Sequence, residues 1–289
     1  MQSTQFAAMG RFGKPLAIVL GTNEIASAVA LHLDRRGYGV AMCHDPAAIV
    51  LRRGMAFHDA LFGDPAELDG VGAVLAETGP AVLSELARGH GIVVSPLGFT
   101  DLMTLGPVDV LVDARMHKHE VKPRLVNLAR VAIGLGPGFR PGHNCDAAVE
   151  THPARAGDIL RDAEAAPADG IAGRLGDRGA ERFAVAPHAG RWLTRLEIGQ
   201  RVFRGFIVGQ IGASLLTSPL DGIVRGLARD GSELTDGVRV LEVDPRGRAA
   251  RWSGLDPRGD AIGRGTAALA DLLRAEQQAR APMADRFGL

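Results

Sequence analysis

Pro15-Leu-Ala-Ile-Val-Leu-Gly-Thr-Asn-Glu-Ile-Ala-Ser-Ala-Val-Ala-Leu-His-Leu-Asp-Arg-Arg-Gly-Tyr-Gly-Val-Ala-Met-Cys43 is the stretch from which the fold is read. Its first six residues form a short apolar run ending at Gly21, which suits a parallel strand buried on both faces. From Asn23 to Arg36 the apolar residues Ile25, Val29, Ala30 and Leu33 recur at helical spacing, and Gly37 closes the helix. Gly39 to Cys43 then reads as a second strand. Strand, turn, helix and strand within about 30 residues open a Rossmann-type sheet.

The alternation continues downstream. Residues 80–88 predict a helix, 92–94 a strand and 100–105 a helical turn. Residues 108–113 and 129–135 predict two more strands. Such alternation implies an α/β domain over 14–162, a parallel sheet with helices on both faces. Residues 163–181 are rich in Ala, Gly, Asp and Pro and read as a linker. From 182 to 247 the pattern becomes short strands, at 183–186, 190–194, 206–211, 222–225 and 239–243, between glycine-bearing turns. A helix over 260–279 and a tail of about ten residues complete the chain.

Within the β module, Gly199 and Gly205 in one half answer Gly231 and Gly237 in the other. The spacing predicts a pseudo-twofold arrangement and resembles the barrel-sandwich repeat of lipoyl and biotinyl domains. Those carriers hold their cofactor on a lysine amine, and no lysine follows Lys122. A swinging-arm carrier is therefore excluded chemically.

Composition narrows the function. The 289 residues are 46% hydrophobic and 23% charged, enough apolar material for a sizeable core. Lys+Arg and Asp+Glu are both 33, so neither nucleic acid binding by bulk charge nor a polybasic membrane anchor is expected. Aromatics at 4% are too few for a base-stacking surface. No apolar run reaches the roughly 18 residues of a membrane span. The first residues lack the apolar core of a signal peptide, so a cytoplasmic protein with a loose arm at 1–13 is expected. Cys43 and Cys145 make neither a disulfide framework nor a zinc quartet.

Several groups of residues can carry chemistry. The first turn, Gly21-Thr-Asn-Glu-Ile-Ala26, stands where a dinucleotide fingerprint places its glycines. Asn23 replaces the second glycine and Glu24 adds a negative charge. The turn is therefore either a degenerate NAD(P) site, with Asp45 reaching a ribose hydroxyl, or a structural turn with Asn23 as helix cap. The second group is Ile133-Gly-Leu-Gly-Pro-Gly-Phe139, after a buried strand. Backbone amides at Gly134, Gly136 and Gly138, with Phe139 and Arg140 following, make either an anion-binding nest or a tight turn that needs no ligand. An anion is expected there, beside Arg115 or Arg140.

The third group, Asp113-Ala-Arg-Met-His-Lys-His119, lies at the carboxyl end of a central strand, where open α/β sheets place ligands. Arg115 and Lys118 suit an anion. His117 and His119 point to opposite faces if extended, so no metal site is assigned. The fourth is the pair Arg52 and Arg53, suited to phosphate or carboxylate, or else an exposed helix end. Cys145 is a candidate sulfur carrier if nearby cations lower its pKa. Asp113 and Glu150 are candidate acid–base groups.

Taken together, Leu51-Arg-Arg-Gly-Met-Ala-Phe-His-Asp-Ala60, Leu111-Val-Asp-Ala-Arg115, Ile133 to Phe139 and Ala148-Val-Glu-Thr151 resemble one family. Ser218-Pro-Leu-Asp-Gly-Ile-Val-Arg-Gly226, Val243-Asp-Pro-Arg-Gly247 and Ala261-Ile-Gly-Arg-Gly265 extend the resemblance. It is the YqeB-like group of molybdenum-hydroxylase accessory proteins, also labelled selenium-dependent molybdenum cofactor proteins and discussed beside the XdhC/CoxF maturation factors. The resemblance spans residues 15–275, although the family's first turn reads G-A-G-D-L-A. It implies a maturation factor that holds the molybdenum cofactor, an anionic molybdopterin, and assists its sulfuration or selenation. Its partners would be a molybdenum hydroxylase apoenzyme and a sulfur donor, in a chain able to form oligomers. Two other readings stay open: an NAD(P)-dependent oxidoreductase using the Rossmann half, and a non-catalytic scaffold whose β module docks a partner.

Overall fold

The computed structural model describes residues 13–89, 91–118 and 120–280. The arm expected at 1–13 (apart from Gly13), the tail beyond Arg280, and His119 lie outside the described residues.

The first half runs β1 (Leu16–Leu20), α1 (Glu24–Asp34), β2 (Gly39–Cys43), β3 (Glu67–Leu68), β4 (Val71–Leu75) and α2 (Gly79–Arg88). It continues β5 (Ile92–Ser95), α3 (Phe99–Met103), β6 (Val110–Asp113), β7 (Val131–Leu135), β8 (Ala147–Val149) and β9 (Ile159–Leu160). These strands form one sheet in the order β3-β4-β5-β2-β1-β6-β7-β8-β9. Pairing is parallel from β4 through β8. Antiparallel β3 and β9 close the edges.

The period-two geometry of a strand explains how β1 serves two cores. Ala17 and Val19 join α1 in one core, while Leu16, Ile18 and Leu20 join Val82 and Leu86 of α2 and Leu102 of α3 in the other. Burying each such Leu or Ile contributes about 1.5–3 kcal/mol. The long helix α4 (Pro257–Arg280) joins α1 on the first face. It starts three residues before the expected residue 260 because Asp256 Oδ1 accepts from Arg258 N at 2.7 Å and from Gly259 N at 3.4 Å. That cap and Pro257 at the first helical position are strong start signals. A Cβ at Gly263 would lie 2.7 Å from the Ala28 carbonyl oxygen, so glycine lets α4 approach α1 closely.

The expected strands and helices of this half form, and four strands join them that periodicity misses: the two-residue edge strands β3 and β9, and β4 and β8. β4 carries Gly72 in its middle and is only partly buried. β8 is three residues long. Neither gives a run long enough to read.

The second half holds β10 (Phe183–Val185), β11 (Gly190–Leu193), β12 (Arg201–Val202), β13 (Ile207–Ile211), β14 (Ser214–Thr217), β15 (Gly222–Leu227), β16 (Glu233–Leu234) and β17 (Arg239–Asp244). They make two open antiparallel sheets, β10-β17-β15-β12 and β14-β13-β11-β16. Trp192 sits fully buried in their shared core and donates Nε1–H to the Ala228 carbonyl at 3.2 Å. Ile49 and Leu51 of the first half pack against this core. Exchanging β10–β13 with β14–β17 converts one sheet order into the other. Gly199 and Gly231, at φ 92° and 81°, turn the chain at matched points.

Candidate functional site

The strand order changes direction at β1, whose neighbours β2 and β6 lie on opposite sides. Such a switch point opens a crevice at the carboxyl ends of the strands. Here a cleft of about 650 Å³ lies against those ends. Asn23 and Glu24 after β1, Arg115 after β6, Pro137 after β7 and Glu150 after β8 line one side. Arg182, Phe183, Arg225 and Arg239 of the β module line it too, with Asp256 and Arg258 at the start of α4. Eight cationic side chains border the cleft against four acidic ones.

One buried carboxylate organises the cationic wall. Glu242, on β17, accepts from Arg52 Nε at 2.7 Å and from its Nη2 at 3.1 Å. It also accepts from Arg182 Nε at 3.0 Å. Burial pushes the Glu242 carboxyl up, but the Arg52, Arg225 and Arg182 guanidiniums outweigh it and hold the pKa below the usual range. Arg225 is 4% exposed, and its Nε is buried with no hydrogen-bond partner. That Nε lies 3.7 Å from Glu242, too far for a hydrogen bond.

The remaining cations are poorly matched. Burial lowers the pKa of Arg225, Arg239 and Arg258, and a neighbouring arginine adds to the fall in each case. Partial desolvation lowers Lys118 in the same way, reinforced by Arg258 and Arg239. Positive groups that depress one another's pKa favour an incoming anion. The Arg182 and Arg239 guanidiniums both stack on the Phe183 ring, their carbons 4.4 Å and 4.1 Å from its centre. Met116, beside Arg115, holds φ at 64°, a conformation uncommon outside glycine and concentrated at functional sites.

The sequence-derived residues divide clearly. Arg52, Arg115 and Lys118 line the cleft. Arg53 instead donates to Asp59 at 2.6 Å and to the Leu227 carbonyl at 3.0 Å, tying the two halves together. Arg115 is held by Asp113 through two hydrogen bonds of 3.0 and 2.5 Å, so Asp113 positions a cation. Both Glu150 oxygens accept backbone amides, from Thr151 and His152 on one side and Ala166 on the other. Glu150 thus pins the start of the linker, and its geometry is not that of an acid–base group with free lone pairs.

The glycine-rich turn reaches the cleft only through Pro137. Gly136 N donates to the Val149 carbonyl at 3.0 Å, and Arg140 N to Asn144 Oδ1 at 2.8 Å. A Cβ at Gly134 would lie 2.1 Å from Phe139, and one at Gly136 2.5 Å from Thr151 Oγ1. The glycines therefore admit neighbouring side chains; Gly138 faces Lys122 in the same manner. Phe139 is a core residue, and Arg140 turns away to Glu164 at 2.8 Å. The amides of Gly136 and Arg140, expected to face an anion, thus serve the fold instead.

Two further expectations change. Cys145 is fully buried, and burial pushes its thiol up to about 12, the opposite direction from the lowered pKa expected of a sulfur carrier. Cys43 is pushed to about 12 by the same cause. In the first turn Asn23 Oδ1 accepts from Ile25 N at 2.9 Å and Ala26 N at 3.0 Å. The helix amides that a dinucleotide pyrophosphate needs are thus satisfied by a side chain. Asp45 lies 2.5 Å from His117 Nε2 and is engaged there. Among the described residues no three His, Cys, Asp or Glu side chains converge as a metal-ligand set. No helix among them is long and apolar enough to cross a membrane.

Arg182, Arg225, Arg239, Arg258 and Glu242 escaped the sequence reading. One signal was available: Arg225 is a charge inside the otherwise apolar Gly222 to Leu227, and Glu242 stands between Leu241 and Val243 in Arg239 to Asp244. A buried charge needs a partner, so two such strands imply a pair.

No family model matches the chain. The chain is 32% identical over 254 residues to the uncharacterized protein YqeB of Escherichia coli (strain K12), a match covering 88% of this chain and 47% of that protein. It thus spans about half the length of this curated relative. Among solved structures, a succinylglutamatedesuccinylase/aspartoacylase from Rhodobacter sphaeroides is 23% identical over 29% of each chain, with a TM-score of 0.20. The ectoine utilization protein EutE (DoeB) from Ruegeria pomeroyi is 11% identical over 80% of this chain and 85% of that one, with a TM-score of 0.25. Scores this low carry no argument.

Proposed function

We propose that this chain, a member of the YqeB-like family, is an accessory factor for a molybdenum-containing hydroxylase that holds the anionic pterin cofactor in the cationic cleft and passes it to the apoenzyme. The observation that carries the reading is the excess of partly desolvated cations around the cleft, with the buried, unsatisfied Nε of Arg225 among them. The residues fit a phosphate-bearing ligand: guanidiniums give paired donors to phosphate oxygens, and Lys118 adds a point charge. The cofactor is cargo here, and when bound it brings its own metal chemistry. The chain's own contribution is to bind, orient and shield.

Both cysteines are buried thiols, so sulfur or selenium for the cofactor comes in this reading from a separate donor protein. The β module belongs to the lipoyl/biotinyl-like barrel-sandwich class in this reading, supported by the interchange of its two sheet orders. Lacking a lysine, it acts as a wall of the cleft. The protein works in the cytoplasm, where cofactor and apoenzyme meet.

The test is equilibrium retention of molybdopterin by the purified chain, with NAD(P)H in a parallel arm. Pterin retained by the wild type and lost in Lys118→Ala and Arg239→Ala supports the proposal. Retention of NAD(P)H alone, or of pterin equally by all variants, overturns it.

A further inference from the structure

A second cavity, of about 640 Å³, shares its wall with the first: Leu175, Arg225, Asp256 and Arg258 line both. Arg246, Arg248 and Arg251 complete its charged lining, so five guanidiniums face one carboxylate. Only some of that charge is matched. Arg246 is held by Asp244 through bonds of 2.9 and 2.7 Å. The side chains of Arg248 and Arg251 form no ion pair or hydrogen bond among the described residues. Arg225 stands at the boundary: its Nη1 donates to the Arg251 carbonyl, its Nη2 lies 3.8 Å from Asp256, and its Nε has no partner.

We infer that the two cavities form one binding surface for a diphosphate-bearing ligand, with one phosphoryl group on each side of the Arg225 guanidinium. The inference deepens the reading of the first cleft as an anion site and rests on it. A guanidinium presents five N–H donors in a planar fork, so one side chain serves oxyanions at two edges. A single phosphate in the first cleft leaves Arg248 and Arg251 facing like charge. Two linked phosphoryl groups offset both sets of cations and keep the second anion near the shared residues. The ligand class is therefore one whose phosphate is joined to a second phosphate.

The experiment is calorimetric titration of the full chain with inorganic phosphate and with inorganic pyrophosphate at fixed ionic strength. Pyrophosphate is expected to bind the wild type at least about tenfold more tightly, because charge-assisted contacts are added on the far side of Arg225. Arg248→Ala combined with Arg251→Ala removes that advantage, lowering pyrophosphate affinity far more than phosphate affinity. Arg204→Ala combined with Arg264→Ala, outside both linings, makes the same change in net charge and keeps the advantage. If the first double variant retains the wild-type preference, or the control pair loses it equally, the two-cavity inference is overturned, while weakening of both anions by Lys118→Ala still upholds the first cleft. If Lys118→Ala weakens neither anion, the reading of the first cleft fails, and this inference with it.

Discussion

The turn at 133–139 and the wall built from β15 and β17 both border the same cleft, and they spend their polar groups differently. In the turn, Gly136 N and Arg140 N each donate to an acceptor within the fold. In the wall, Arg225 keeps an unsatisfied Nε, and burial, reinforced by Arg52, lowers its pKa. Both regions are rich in donors; these two amides of the turn are spent within the fold, while the Arg225 guanidinium keeps a donor to spare. Capacity for an anion follows from what the fold leaves unmatched, not from how many donors a segment contains. The turn is a packing device whose glycines make room for Phe139 and Thr151. The wall is a charged surface held open by a single buried glutamate.

The strongest test of this contrast is Phe139→Ala. Phe139 is 1% exposed and fills the core beneath the turn. Its truncation should lower stability by about 3–5 kcal/mol in denaturant unfolding, as for other buried aromatics. Phosphate affinity of the remaining folded protein should stay at the wild-type level. A large loss of affinity without a loss of stability would make the turn part of the site and erase the contrast.

Glu242→Gln strikes the other region. It leaves Arg52, Arg182 and Arg225 without their shared charge, and stability should fall by about 3 kcal/mol, the lower end for a broken buried pair. The pH dependence has a definite sign. The Glu242 pKa in the folded chain is below its ordinary 4.5, so its contribution is complete above 4.5 and is lost as pH falls through the lower folded value. Acid unfolding curves of wild type and variant should therefore converge as pH falls from 4.5 through that lower folded value. Curves that stay parallel to lower pH would remove Glu242 as the organiser of the wall.

Much of the molecule was legible because periodicity reports burial directly. The runs from Leu16 to Leu20, Gly39 to Cys43 and Val110 to Asp113 are apolar throughout because both faces of the sheet are covered. The cleft was half legible. Arg52, Arg115 and Lys118 stand at strand ends or in basic clusters, which local pattern reveals. Arg182, Arg239 and Arg258 come from three separate elements, and only the packing of the β module on the sheet brings them together. The turn was misread for the same reason. Its sequence shows amides and glycines, while the acceptors that consume them, the Val149 carbonyl and the Asn144 side chain, lie on other segments.

A smaller effect is expected from Arg239→Ala. The side chain is exposed, stacks on Phe183 at 4.1 Å and lines the cleft. Anion affinity should fall by about 1.5–3 kcal/mol if the contact is charge-assisted. Stability should move by less than about 0.5 kcal/mol, as for other surface changes. Unchanged affinity in the same titration would take Arg239 out of the wall and weaken the view that the wall binds the anion.

The smallest expected effect separates the two regions most cleanly. Arg140 follows the glycine-rich turn, and sequence alone makes it the natural cation for an anion there. In the structure its Nε reaches Glu164 at 2.8 Å, with both side chains 57% exposed. It is absent from the lining of the cleft that Pro137, three residues earlier, helps to form. An exposed pair of this kind contributes about 0–1 kcal/mol and is screened by salt. Arg140→Ala should therefore shift the unfolding midpoint marginally and leave phosphate affinity as it was, at low and at moderate salt alike. If titration of Arg140→Ala shows affinity falling as far as in Arg239→Ala, the turn side of the cleft holds the anion, and the assignment of the two regions is reversed.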